Sequence, residues 1–455
     1  MKVVVIGGGY VGLTSAVCYC EFGFDVLLIE KDKNRLELLQ KGISTSSEVG
    51  LEPGLKKHIK NEMIHFSNSI DKNIEDADAI VISIATTKQN GPDSDLTALH
   101  ETIQEVALFL SNNKYTGIFI KTSVPVGTCT IIANNLRFMR PDLISGKHYD
   151  IIANPSFLRE GSAIHDFITP NRVIIGFETE NHKKAKDLAL KLYTSLVNLA
   201  VPFIFTNFES AELIRAATIA FITTKMAFIN ETADFCDRIG ANVNAVIKGI
   251  ALDQGIGYKA FQITPGFGGT SYPRTVRILS NTANNLGIDL NVLNSVISSN
   301  TKRISSIKDR ILNIIQDNED VSNKRVAIFG LSFKPQTSDI RESASVFVVK
   351  DLLEKNIDVA VYDPAYELKT KEIDKIPLDI RNNKKFHLEK SAYDAANQSD
   401  IIVIMTNWAE FMTLDFKKIS ELMNKKPNKK PVILDYRNMF FREELPDFEY
   451  IPQGC

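Results

Sequence analysis

The sequence predicts an α/β protein. It has two doubly wound domains, each a parallel sheet between helices, joined by a central segment built on one long helix. Three observations predict this. The chain opens with a short apolar run, Lys2 to Ile6 (KVVVI), that ends in Gly7-Gly8-Gly9-Tyr10-Val11-Gly12. The same grammar returns at Arg325 to Phe329 (RVAIF) before Gly330, and after each start apolar runs alternate with helical patterns. Between them, Glu209 to Ile239 contains neither Pro nor Gly. At about 45 Å this is long for a globular helix.

A chain of 455 residues gives room for roughly three domains. Its 44% hydrophobic and 24% charged residues suit a globular protein. A formal charge of −2 gives no reason to expect nucleic acid or membrane as a partner, so an anionic ligand must be held by a local site. Cys18, Cys20, Cys129, Cys236 and Cys455 form no CxxC pair and no metal-ligand spacing. This predicts reduced thiols in a cytoplasmic protein and no metal. Cys129 and Cys236 read as small buried helix residues. Met1-Lys2 runs straight into a strand, so no signal peptide is expected, and no run reaches transmembrane length.

Taken in order, the first strand, the glycine turn and a helix through Phe22 place GxGxxG in the context that binds a dinucleotide. Gly7 makes the turn, Gly9 lets a pyrophosphate approach, and Gly12 allows close helix–strand packing. The helix N-terminus faces the phosphates. The second strand, Asp25 to Ile29, ends at Glu30, an acid suited to ribose hydroxyls and hostile to a 2′-phosphate, which predicts NAD. The expected cofactor contacts are Gly7, Gly9, Tyr10, Val11, Gly12, Glu30, Arg35, Thr86 and Thr122. Further strands are predicted at Ala79 to Ile84, Gly117 to Lys121, Asp150 to Ala153 and Arg172 to Gly176. The loops after them are Ala85-Thr86-Thr87, Thr122 to Thr128 and Asn154 to Gly161, and they should face the ligand crevice.

The long helix reads as a spine between two domains and a dimer interface. The loop Pro265 to Arg274 (PGFGGTSYPR) follows it, a glycine-rich turn whose backbone N–H groups can border a ligand. In the last segment, strands are predicted at Arg325 to Phe329, Val359 to Tyr362, Ile401 to Thr406 and Val432 to Leu434. Lys334 and Arg341 stand at the ligand end, where cations meet phosphates. The expected boundaries are 1–206 for the dinucleotide domain, 207–318 for the helical segment and 319–455 for the second doubly wound domain.

With these residues placed, the chain resembles the UDP-glucose/GDP-mannose dehydrogenase family. The motifs that carry the resemblance are Gly7 to Gly12, Glu52-Pro53-Gly54-Leu55, Ser123 to Thr128, Asn154-Pro155 with Phe157 to Gly161, Pro265 to Gly269, Gly330 to Pro335 and Asp339 to Ser343. The resemblance implies an NAD-binding first domain, a homodimer through the central helix, and a last domain that holds a nucleotide sugar, by default a UDP-sugar. It implies a polysaccharide-precursor role and substrate contacts at Phe157, Leu158, Arg159, Gly266, Phe267, Gly268, Lys334 and Arg341. Members oxidise a sugar alcohol to a carboxylate in two hydride transfers, through a cysteine-bound intermediate.

The resemblance also marks departures. The family's cysteine falls on Ser271, and the lysine and aspartate that follow it fall on Arg274 and Thr275. Ser156 stands for a glutamate, Arg215 for a lysine, Ile219 for an asparagine and Gly255 for an arginine. The implied catalytic set is Ser271, Glu160, Arg215 and Ser123, with Glu160 as base, Arg215 as electrophilic stabiliser and Ser123 as orienting hydroxyl. A serine without an adjacent base is a poor nucleophile. An arginine keeps its charge but does not exchange its proton at neutral pH. The leading expectation is therefore oxidation that stops at a carbonyl, at C6 or at a ring carbon with possible return of the hydride to give an epimer. Full oxidation to a uronic acid is the first alternative, and a non-catalytic binding homologue is the second.

Overall fold

A computed structural model gives the fold and describes residues 1–46, 48–86, 94–179, 182–316, 321–366, 371–424 and 429–455. Thr87 and the polar stretch 317–320 at the expected second boundary lie outside them.

Among the described residues the first sheet has eight strands: β1 (Lys2–Ile6), β2 (Asp25–Ile29), β3 (Ile64–Ser67), β4 (Ala79–Ile82), β5 (Thr116–Ile120), β6 (Tyr149–Ala153), β7 (Val173–Phe177) and β8 (Phe203–Asn207). Their order is β3-β2-β1-β4-β5-β6-β7-β8. All neighbours are parallel except β6 and β7, which meet antiparallel at Ala153 and Gly176. Side chains of β1 alternate between the faces. Val3 and Val5 pack with Leu13 and Val17 of the helix Tyr10–Glu21, and Val4 and Ile6 share the other core with Ile103 and Val106 of the helix Thr97–Phe109. Burial on both faces is why these strands read as unbroken apolar runs.

The second sheet has β9 (Arg325–Phe329), β10 (Asp358–Tyr362), β11 (Phe386–Leu388), β12 (Ile401–Ile404), β13 (Val432–Asp435) and β14 (Glu449–Pro452), ordered β11-β10-β9-β12-β13-β14 and parallel throughout. Val326 and Ile328 share one core with Val348 and Leu352, and Ala327 and Phe329 share the other with Phe411 and Ile419.

Both sheets use one turn. Gly7 (φ 104°) follows β1 and donates its N–H to the Ile29 carbonyl at 2.8 Å, while Gly330 (φ 96°) follows β9 and donates to the Tyr362 carbonyl at 2.8 Å. A Cβ at Gly7 would lie 2.3 Å from the Ser83 carbonyl oxygen, and one at Gly330 would lie 2.3 Å from Thr406 Cβ. The first strand must turn under the end of its neighbour, and a side chain has no room there.

The sequence reading finds every strand that has a neighbour on both sides. It misses β3, β8, β11 and β14, which are the four edges of the two sheets. Edge strands carry polar or exposed residues at several positions, as in Ile64–Ser67 and Glu449–Pro452, so no continuous apolar run marks them.

By compactness the chain divides into two units. One is Met1–Thr218 with Asn281–Leu286, and the other is Ile219–Ser280 with Gly287–Cys455. The long helix is a single element, Phe208–Ile239, and supplies residues to both. In the second unit Gly454 is tied to this helix and to the next one: it donates its N–H to Asp237 at 2.7 Å and accepts one at its carbonyl from Val243 at 2.7 Å. Among the described residues no helix is long and apolar enough to cross a membrane.

Gly330→Ala should destabilise the fold by about 2–5 kcal/mol, through backbone strain and the clash with Thr406. Urea unfolding measures this, and an unchanged midpoint would show that the turn yields to a side chain.

Candidate active site

In the first unit the residues expected to hold a dinucleotide converge on the ends of β1, β2, β4 and β5. Gly9 caps the helix Tyr10–Glu21 and leaves open space where its side chain would be. Gly12 has no such space, since a Cβ there would lie 1.8 Å from the Gly7 carbonyl oxygen. The first turn of this helix carries no acidic residue, which leaves its N–H groups and dipole for an anion. Glu30, 6% exposed, turns its carboxylate towards the glycines: Oε2 accepts from Gly8 N at 2.9 Å and Oε1 from Asp32 N at 2.8 Å. Arg35 pairs with Glu30 at 3.0 Å. Thr122 Oγ1 accepts from Ile84 N at 3.1 Å, and Thr86 Oγ1 donates to the Ser123 carbonyl at 3.2 Å. These two hydroxyls lash the loops after β4 and β5 together. Open space at Gly9 on a helix N-terminus, with an acid at the end of β2, fits NAD.

Beside this cradle, Ile120, Thr122, Ser123, Val124, Cys129, Ala153, Pro155, Glu212 and Arg215 line a narrow cleft. Ser123 and Arg215 are thus brought to one place. The loop after β6 stands next to it. Asn154 heads this loop and is fixed by Tyr193 Oη, which donates to its Oδ1 at 2.6 Å, and by its own Nδ2, which donates to the Ile174 carbonyl at 3.0 Å. Buried Lys121 joins this network, 3.1 Å from Tyr193 Oη and 3.3 Å from Asn154 Oδ1. Two guanidinium groups lie over the Phe157 ring, Arg172 at 4.4 Å and Arg215 at 5.5 Å from its centre. Leu158 packs against the first core. Arg159 is a bidentate partner of Asp166, at 2.6 and 3.0 Å, so its charge is directed to a protein carboxylate.

Glu160 shares a field with Tyr10. Burial first, and then the Glu48, Glu160 and Asp166 carboxylates, hold the Tyr10 phenol well above its usual range, with Arg215 opposing them. The chain after Glu160 is pinned by buried Glu48, which accepts from Gly161 N at 2.5 Å and Ala163 N at 2.9 Å.

In the second unit the glycine-rich loop packs against the stretch that follows β9. A Cβ at Gly268 would lie 2.4 Å from the Glu342 carbonyl oxygen, and Gly269 N donates to the Arg341 carbonyl at 3.0 Å. Buried Phe267 is held at both backbone groups by Asn300: its N–H reaches Oδ1 at 2.8 Å and its carbonyl accepts from Nδ2 at 3.1 Å. Ile219 shares the apolar cluster of Phe267 with Val276 and Leu293. Gly266 precedes this anchored residue, and Ser271 opens the helix Ser271–Asn285. Lys334 lies over the Phe333 ring at 5.9 Å, and Arg341 pairs in bidentate fashion with Asp339, both contacts 2.8 Å.

Sequence reasoning passes over Glu48, Glu212, Arg172, Lys121 and Asn300. One signal points to Glu212. Gly127 starts the helix Thr128–Met139 and has no side chain to satisfy its first N–H groups, so an acceptor must come from elsewhere. Nothing comparable marks the others, whose partners are far away in sequence.

Known proteins match along the whole chain. The NAD binding domain of the UDP-glucose/GDP-mannose dehydrogenase family matches residues 1–197, its central domain 209–302, and its UDP binding domain 327–442. UDP-glucose 6-dehydrogenase of Rickettsia conorii is 35% identical over 100% of this chain and 99% of its own length. UDP-glucose 6-dehydrogenase TuaD of Bacillus subtilis is 32% identical over 99% and 92%. The structure of a UDP-glucose dehydrogenase from Pyrobaculum islandicum superimposes with a TM-score of 0.84 at 25% identity, covering 100% of this chain and 97% of that one. A UDP-D-ManNAc dehydrogenase from Pyrococcus horikoshii shares the fold with a TM-score of 0.84 at 23% identity, covering 100% and 99%. The cofactor is NAD. The cradle at the end of β1 and this end-to-end match lead to one conclusion: the chain is an NAD-dependent oxidoreductase and belongs to the UDP-glucose/GDP-mannose dehydrogenase family.

Proposed function

We propose that the chain oxidises the primary alcohol of a UDP-hexose to the carboxylate, since a relative 35% identical over its full length is named UDP-glucose 6-dehydrogenase. That match is the observation that carries the reading, and it supports full oxidation over a reaction that stops at the carbonyl. The balance is R–CH2OH + 2 NAD⁺ + H2O → R–COO⁻ + 2 NADH + 3 H⁺. Bound NAD supplies the hydride acceptor for each oxidation. Glu160 takes the alcohol proton as the first hydride leaves. Arg215 stabilises negative charge on the reacting oxygen, and Ser123 orients the group that Glu160 deprotonates. Water adds to the aldehyde, and Glu160 takes a proton from the resulting hydrate during the second oxidation. On this reading Ser271 stands in the sequence where the resemblance puts the family's nucleophilic cysteine. Lys334, Arg341 and the Gly266–Gly268 backbone hold the diphosphate and sugar, and Gly7 to Gly12 with Glu30 hold the dinucleotide.

A second reading, in which chemistry stops at a carbonyl, is favoured by Ser271 itself. No thiol in the chain is poised to replace a catalytic cysteine. Burial pushes the Cys18 and Cys20 thiols up to about 12. It also raises Cys129, with Glu212 adding to the effect, and Cys455. Cys236 is buried.

The dimer is part of the proposal. Phe221, Phe228 and Phe235 recur every seven residues along the long helix and are 65%, 55% and 62% exposed. An apolar stripe at that spacing suits a second copy of the same helix.

Four outcomes test this proposal. With UDP-glucose and related UDP-sugars, two NADH per sugar and a product with one oxygen gained and two hydrogens lost are expected. One NADH per sugar, or an isomerised sugar, would instead establish the carbonyl reading. Arg215→Met should lower kcat by about 10²–10³-fold, and a change within twofold would remove Arg215 from the mechanism. Raised thiol pKa values mean little thiolate at pH 7.5. Iodoacetamide should therefore leave turnover of the native enzyme unchanged, whereas rapid inactivation would put a thiol in the chemistry. Phe228→Glu should give a monomer by light scattering if the stripe is the interface, and an intact dimer would place the interface elsewhere.

A further inference from the structure

The helix Thr128–Met139 begins at Gly127, which has φ 93° and offers no side-chain cap. Its first N–H groups are nevertheless satisfied. Glu212, 85 residues on in sequence and 4% exposed, accepts from Gly127 N at 2.6 Å through Oε2 and from Cys129 N at 2.8 Å through Oε1. A carboxylate from a different helix thus does what a Ser or Asp cap normally does locally, and the anion also meets the positive end of the helix dipole.

The two elements joined in this way each carry a residue of the proposed chemistry. Ser123 lies on the loop that ends at Gly127. Arg215 is three residues after Glu212, on the same helix face. Glu212, Ser123, Thr122 and Arg215 line the same cleft. We infer that Glu212 is a positioning residue that fixes the Ser123 loop and Arg215 in register by clamping Gly127 and Cys129. Reacting groups must be held within about 0.5 Å to work together, and a displacement of about 1 Å can cost about 10²-fold in rate. The backbone clamp supplies this tolerance because charge-assisted hydrogen bonds are short and strong. Burial lifts the Glu212 carboxyl above the ordinary range, while the two N–H donors and the Cys129 thiol pull it back. The donors therefore favour the ionised form that makes the clamp.

This inference rests on the functional roles proposed for Ser123 and Arg215. Its test uses the full-length protein as Glu212→Gln and Glu212→Ala. Glutamine keeps the shape but turns an NH2 towards one of the two backbone N–H groups. Hydrogen exchange across residues 122–129 is measured alongside kcat, the KM for NAD and the melting temperature. The expected result for Glu212→Gln is faster exchange in that segment and kcat lower by about tenfold or more. The KM for NAD should stay within twofold, because the Gly7–Gly12 cradle is untouched. Unchanged exchange would overturn the clamp. Faster exchange with kcat within twofold would reduce Glu212 to a structural cap and overturn its positioning role, as would failure of both variants to fold. If the unmodified protein turns over no UDP-sugar, the functional reading fails separately, and the clamp stands or falls on the exchange data.

Discussion

The loops that make the site depend on one kind of interaction: a buried carboxylate that accepts backbone N–H groups at the carboxyl ends of the strands. Glu30 takes Gly8 and Asp32, Glu212 takes Gly127 and Cys129, and Glu48 takes Gly161 and Ala163. In the second sheet Asp363 takes Leu331, Ser332 and Ala365, and Asp435 takes Arg437 and Met439. Strand-end loops expose more backbone donors than helices or strands can satisfy, and a donor buried without a partner costs about 1–3 kcal/mol. One carboxylate satisfies two or three donors at once. It thereby turns an irregular loop into a rigid one, which a loop that reads a ligand has to be.

The two sheets show how one such device serves two purposes. The turn after the first strand is the same in both, down to the left-handed glycine and the bond from its N–H to the end of the second strand. The acid that closes the second strand is used differently. Glu30 leans over an open glycine turn and shares its charge with Arg35. Asp363 is fully buried, and Trp408 Nε1 at 3.2 Å joins its three backbone donors. Its carboxylate is thus taken up by the protein's own donors, which suits a domain that does not read a dinucleotide ribose. Burial raises the Asp363 and Asp435 carboxyls and the surrounding donors lower them, with burial the larger effect.

What the sequence reveals follows from the range of the interaction that fixes each feature. Inner strands are buried on both faces, and their apolar runs announce them, as does the glycine turn that only one residue type can make. Edge strands such as Ile64–Ser67 are half-solvated and leave no run to read. The motif residues of the site, Gly7 to Gly12, Glu30 and the 154–161 loop, are legible because their local geometry constrains residue type. Glu48 and Glu212 are not, because each acts on backbone 113 to 115 and 83 to 85 residues away, and a backbone N–H leaves no mark on the sequence it belongs to. Arg159 and Arg341 are the reverse case. Their charges stand out in the sequence, yet each is matched by a nearby aspartate, Asp166 and Asp339.

The residues at the reacting end make sense as a set. In a covalent route a thiolate attacks, and a group able to gain and lose a proton manages the oxyanion. Ser271 and Arg215 change both at once on the proposed reading, since serine is a weak nucleophile and arginine a fixed cation. A hydrate route needs neither. Water brings the second oxygen, a single carboxylate base serves both oxidations, and a permanent positive charge is an asset because each hydride departure builds negative charge on oxygen. Arg172 and Arg215 both lie against the Phe157 ring, which puts two such charges at one aromatic side chain. Among the described residues, Arg172 makes no ion pair of its own and is bound only to Thr218 Oγ1, at 3.0 Å. Burial lowers its pKa. On the proposed reading, two guanidinium groups gathered at one aromatic ring suit a reaction that ends in an acid better than one that ends in a neutral carbonyl.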